Sequence, residues 1–143
     1  MEELMWAITN GGDVFATLPI MMFYFFTGRR RKFDEILWGF ALIVLVVGPL
    51  KLIVAEQRPC AGCDILSFPS FHAANSFMLA VALSGFYPHL TILIFAAATL
   101  VSFTRIYLNV HYWTDVVAGA AIGLVSGYLA RERCKMATRE QKD

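Results

Sequence analysis

The chain has 143 residues, of which 58% are hydrophobic and 16% charged, with a mean hydropathy of +0.60. A soluble domain carries about 25% charged residues, so these figures exclude a disordered chain, a nucleic-acid binder with a basic surface and most soluble enzymes. The formal net charge of +1 names no acidic or basic partner, and three cysteines are too few for a disulfide framework.

A helix that crosses a bilayer needs about 20 mostly apolar residues, and five segments approach that requirement. The first, residues 4–26, is interrupted by Asn10-Gly11-Gly12-Asp13 and carries Pro19. The second spans residues 36–54, the third 71–87, the fourth 90–108 and the fifth 116–130. Together they leave almost no chain for a separate soluble domain. An open sheet is excluded because its unpaired edge cannot face lipid. The expectation is a single domain over residues 1–143: an all-α, polytopic membrane helix bundle with about five transmembrane helices and a basic tail at about 131–143. Met1-Glu2-Glu3 lacks the basic start of a cleavable leader, so the first apolar segment is expected to stay.

Basic residues set the orientation. Arg29, Arg30, Arg31 and Lys32 lie between the first two spans, and Arg131, Arg133, Lys135, Arg139 and Lys142 follow the fifth. With five spans both groups fall on one side, which the positive-inside rule makes cytoplasmic. The loop at 56–70 and the turn near His111 then face outside and are expected to be neighbours.

Lys51, Arg58 and Arg105 stand apart from that belt, at the outer ends of spans. One such residue would be read as snorkelling to headgroups. Three on one face with two histidines read better as an anion site, because an Arg fork suits phosphate oxygens and Lys adds a point charge. His111 and Asp115 are four apart, so the carboxylate can engage one imidazole nitrogen and leave the other to attack. Ser70 follows Pro69 where the third span begins; it reads as an N-cap, and backbone N–H groups there bind anions. A metal site is the competing chemistry. His72, His111, Asp115, Asp64 and two cysteines are the available ligands, no His-x-x-x-His pair occurs, and three cations would repel a divalent ion. The expectation is no metal and no cofactor.

In chain order these residues read Lys51-x6-Arg58-Pro59, Pro69-Ser70-Phe71-His72 and Thr104-Arg105-x5-His111-x3-Asp115. The pattern resembles the type-2 phosphatidic acid phosphatase family, the membrane lipid phosphate phosphatases, whose motifs are Lys-x6-Arg-Pro, Pro-Ser-Gly-His and Ser-Arg-x5-His-x3-Asp. The likeness includes Ser67-Phe68 before the second motif and Gly119 after the third, and covers residues 51–127. The resemblance implies that His111 is the nucleophile forming a phosphohistidine, that Asp115 orients it, and that His72 is the general acid. It implies that Lys51, Arg58, Arg105 and Ser70 hold the phosphoryl oxygens.

Two positions depart from the family pattern. Phe71 replaces a glycine, adding bulk while keeping the N–H, and Thr104 replaces a serine, keeping a hydroxyl. Many relatives have six spans, and the first is expected to be absent here. Cys60-Ala61-Gly62-Cys63 follows Arg58-Pro59 and reads as a loop disulfide or two free thiols. Cys134, near the inner end of the fifth span, reads as an ordinary thiol. Gly119, Gly123 and Gly127 form a small-residue stripe that permits close helix packing. The reading is a multi-pass cell-membrane phosphatase with an extracytoplasmic site, acting on a lipid phosphate or a lipid or polyprenyl diphosphate. Its partners are that substrate and membrane lipids, not nucleic acid. A lipid phosphotransferase and a non-catalytic headgroup binder are the alternatives; binding alone needs the cations but not two histidines and Asp115.

Overall fold

The computed structural model describes residues 1–9, 14–60, 62–63 and 65–140. Asn10 to Asp13 and Asp64 lie outside the described residues, so neither the expected interruption of the first span nor Asp64 as a ligand is addressed. Among the described residues six α-helices follow in order: α1 (Glu2–Thr9), α2 (Val14–Phe26), α3 (Arg30–Val54), α4 (Phe71–Phe86), α5 (Thr91–Tyr107) and α6 (Trp113–Glu140). A 3-10 turn, Pro88–Leu90, joins α4 to α5. Among the described residues there is no strand.

Local chemistry explains the helix ends. α2 stops at Gly28, whose φ of +71° a side chain disfavours. Gly28 and Arg29 donate their N–H groups back to the carbonyls of Phe25 and Tyr24, a Schellman closure. Ala55 closes α3 in the left-handed region, donating its N–H to the Lys51 carbonyl. Ser70 caps α4, its side chain accepting the Ala73 N–H. Pro88 ends that helix, because the residue before a proline is pushed out of helical geometry.

The second and fifth apolar segments became longer helices than the hydropathy indicated, while the third and fourth kept nearly their expected bounds. α3 starts at Arg30, not 36, and α6 runs to Glu140, so most of the expected tail is helix. Charged residues extend both helices because Arg, Lys and Glu have good helix propensity. Among the described residues three helical stretches are long and apolar enough to cross a membrane: Arg30–Val54, Pro88–Tyr107 and Trp113–Arg139. Phe15–Phe26 and Phe71–Phe86 are apolar but shorter.

Short α4 sits in the middle and packs against α2, α3, α5 and α6. Ala73, Ala74, Ala80 and Ala82 are buried, so neighbours approach it closely on several sides. Its most extensive partner is α6, and the glycine stripe is the reason. A Cβ on Gly119 would fall 2.3 Å from the Ser70 carbonyl oxygen, and one on Gly123 would fall 2.1 Å from that of Ala74. The stripe therefore serves packing within the bundle. Ile36, Ile43 and Val47 of α3, with Met78 and Leu79 of α4, fill the core. Large side chains such as Leu45, Ile53, Ile92, Leu93 and Val117 point outward, an apolar exterior that suits lipid.

The two groups of charge separate along this bundle. Arg133 stacks on Trp38 at 3.7 Å, and Lys32 lies over the rings of Tyr24, Phe86 and Tyr87. The start of α3 and the end of α6 thus form one cationic end. Lys51, Arg105, His111 and Asp115 occupy the other ends of the helices that carry or flank them.

Candidate active site

The site is assembled where α6 begins. Asp115 occupies the first turn of α6 and is fully buried. Its Oδ2 accepts the Tyr112 N–H at 3.0 Å, the half of a capping box that a first-turn acid supplies. The five residues between α5 and α6 are folded back on α5, with the N–H groups of Val110 and His111 both donating to the Arg105 carbonyl. Asn109 takes φ +54° in this turn, a conformation asparagine tolerates better than most residues. The result brings His111 Nδ1 to 3.1 Å from Asp115 Oδ2.

A third residue completes this contact. Ser67, fully buried, donates its hydroxyl to Asp115 Oδ2 at 2.5 Å and lies 3.3 Å from His111 Nδ1. Its carbonyl oxygen accepts from Lys51 Nζ at 3.2 Å, and that of Leu66 accepts from the same amine at 2.7 Å. Its own N–H reaches the Glu56 carbonyl. The loop at 56–70 is thereby tied to α3 on one side and to α6 on the other. Ser70 strengthens the tie by donating its N–H to the Asp115 backbone oxygen at 3.0 Å.

The expected residues distribute around this knot. Lys51 ends α3. Arg58 is half-buried in the loop, with its Nε shielded and without a hydrogen-bond partner. Arg105 is buried near the end of α5, its Nη1 donating to Thr9 Oγ1 at 2.9 Å. Ser70 caps α4 and His72, half-buried, follows in its first turn. Phe71 turns its ring onto Phe40 of α3, edge to face at 6.1 Å, so its bulk joins the core. Thr104 is buried and donates its hydroxyl to the Val101 carbonyl within α5. Cys60 and Cys63 are joined in a disulfide, and Cys134 is a buried free thiol. Sequence reasoning gave no role to Ser67 or Thr9. Ser67 was legible only as a neighbour of the second motif; Thr9 carried no signal, since it lies 96 residues from Arg105.

Electrostatics keep His111 neutral. Its pKa is pushed down to about 4, first by burial, which disfavours the imidazolium. The Asp115 hydrogen bond opposes that shift, while Arg105, Arg58 and Lys51 add to it by repulsion. With Nδ1 directed at the carboxylate, the neutral ring holds its proton there and carries a lone pair on Nε2. A neutral imidazole beside three cations is equipped to attack an electrophile that arrives with negative charge. Among the described residues no group of three His, Cys, Asp or Glu side chains could hold a metal ion.

Known proteins are similar to this chain to differing extents. A segment of 64 residues is 50% identical to lipid A 4'-phosphatase of Bacteroides thetaiotaomicron, covering 43% of the chain and 28% of that protein. Phosphatidylglycerophosphatase B of Bacillus subtilis is 28% identical over 92% of the chain and 74% of its own length. The crystal structure of Aquifex aeolicus LpxE superposes with a TM-score of 0.83 at 27% identity, over 92% of this chain and 85% of that one. The chain thus spans little more than a quarter of the first relative and three quarters of the second. The model of the PAP2 superfamily matches residues 33–138. That stretch contains all three motifs and the helices that bring them together, and the chain belongs to the PAP2 superfamily.

Proposed function

We infer that the protein is an integral membrane phosphatase that removes phosphate from a lipid phosphate without a metal ion. The contact between buried, neutral His111 and Asp115 beside three cations carries this reading. In the proposed first step His111 Nε2 attacks phosphorus and the ester P–O bond breaks. The leaving oxygen takes a proton from His72, and the phosphoryl group remains on His111. In the second step water attacks phosphorus, His72 removes its proton, the P–N bond breaks and inorganic phosphate departs. Lys51, Arg58 and Arg105, with the Ser70 N-terminus of α4, stabilise the phosphoryl oxygens through both steps. Asp115 holds Nδ1–H throughout, so the same imidazole nitrogen serves each cycle.

The names of the relatives support an anchored substrate, since each acts on a phosphorylated lipid by its name. The exposed apolar belt supports the same substrate class, because an anchored headgroup reaches a site at the bundle end without leaving the bilayer. The cationic ends of α3 and α6 support a cytoplasmic placement of that end and an extracytoplasmic site. They support a multi-pass bundle in which α2 and α4 are the shorter members of about five spans. The test is phosphate release by purified protein from a panel of lipid monophosphates and diphosphates, with and without chelator. Release that survives chelation upholds the reading. Strict dependence on an added divalent ion overturns it.

A further inference from the structure

We propose that the cationic end of the bundle holds a second site, for a phosphodiester headgroup that also carries a hydrogen-bond donor, such as an ammonium or hydroxyl group. A cleft of about 260 Å³ opens there between the start of α3, the end of α4 and the end of α6. That is far more than one water molecule, whose share of liquid volume is about 30 Å³. Arg31, Lys32, Arg131 and Lys135 line it, and so does Glu35. Glu35 is 2% exposed, and its Oε1 is buried without a hydrogen-bond partner. A buried carboxylate oxygen left unpaired is costly, and among the described residues no cation of the cleft pairs it; Lys135 instead reaches Glu132 at 2.6 Å. Arg131 is packed on α4 at Gly85, where a Cβ would sit 2.7 Å from its guanidinium carbon. Its fork is thus held at the cleft while Glu35 keeps an open acceptor.

This combination selects a ligand by chemistry. The cations favour phosphate oxygens, with Arg the better fork for them. The carboxylate disfavours an anion alone and favours one that brings its own donor. Phosphatidylethanolamine and phosphatidylglycerol meet both conditions; phosphatidylcholine has the phosphate but no donor. The cleft lies at the opposite end of α3 from Lys51, which is 20 residues and about 30 Å of helix from Arg31. It is therefore separate from the site around His111 and rests on none of the chemistry proposed there.

The test is native mass spectrometry of the full-length protein in detergent, titrated with phosphatidylethanolamine, phosphatidylglycerol or phosphatidylcholine. Phosphatidylethanolamine and phosphatidylglycerol should bind at least about tenfold more tightly than phosphatidylcholine, the value of one charge-assisted hydrogen bond. Glu35→Leu should erase that preference while leaving the weaker phosphatidylcholine binding, and Arg131→Gln should weaken all three. Soluble glycerophosphoethanolamine supplies the same headgroup: displacement of lipid by it assigns the site to a soluble diester as well, and no displacement assigns it to the bilayer lipid, each upholding the chemistry. Equal affinity of the unaltered protein for all three lipids, or unchanged selectivity in Glu35→Leu, overturns the proposal.

Discussion

At the scale of single residues, the proposed chemistry turns on one imidazole and the two side chains that hold it. His111→Ala should lower turnover by roughly three to six orders of magnitude while leaving the fold intact, as circular dichroism and phosphate-release assays would register together. Ser67→Ala should lower kcat/KM by about tenfold to a hundredfold, because Asp115 loses a charge-assisted donor. The same change leaves more negative charge on Oδ2, which favours the imidazolium. The acid limb of the rate profile should then move up from about 4 toward 6.5, and Ser67→Thr should restore it. A Ser67→Ala enzyme with an unmoved acid limb would leave Ser67 a merely structural role. The sign for stability follows from the same shift. The unfolded chain binds a proton at His111 between about pH 4 and 6.5 that the folded chain does not. Stability should be full above 6.5 and decline as pH falls through that window, and His111→Asn should flatten the decline in a thermal-unfolding series.

At the scale of helices, the close approach of α4 and α6 decides where the motifs meet. Gly123→Ala places a methyl group 2.1 Å from the Ala74 carbonyl oxygen. Backbone cannot move aside as a side-chain tip can, so a loss of about 1–3 kcal/mol is expected. Gly119→Ala pushes on the Ser70 carbonyl and should reduce activity as well as stability, since it moves the N-terminus of α4. Gly85→Ala meets only the end of the Arg131 side chain. It gains helix propensity of up to about 1 kcal/mol against Gly and should be nearly neutral. Thermal midpoints in one detergent would rank the three; a Gly123→Ala protein as stable as Gly85→Ala would contradict the packing argument.

At the scale of the whole molecule, charge runs to one end and the proposed catalytic groups to the other. In a Cys134→Ser background, a cysteine at Ile65 should react with an impermeant maleimide on intact cells, and one at Arg139 should react only after the membrane is opened. Ile65 is exposed in the loop beside the site, and Arg139 follows the cationic cluster on α6. The reverse pattern would move the proposed chemistry to the cytoplasmic face.

Composition determined an all-helical membrane chain without any tertiary information, because a bilayer leaves so few ways to satisfy the backbone. Charge placement and motif spacing singled out His111, Asp115 and the three cations, because an ionic group at the end of an apolar span is costly enough to stand out. Helix ends were less legible: Arg30, Lys32 and Arg131 look like loop residues by hydropathy, yet they continue α3 and α6. Ser67 was invisible as a partner of Asp115, since a serine between Leu66 and Phe68 is ordinary until a loop folds 48 residues across to α6. Thr9 met Arg105 for the same reason, through the packing of α1 against α5. Glu35 was assigned no role from the sequence, and only the packing of α3 against α4 and α6 buried it with an open acceptor. Local pattern specifies which groups are unusual; their pairing is decided by helix packing, where the absence of a single Cβ at Gly119 or Gly123 sets which residues can touch.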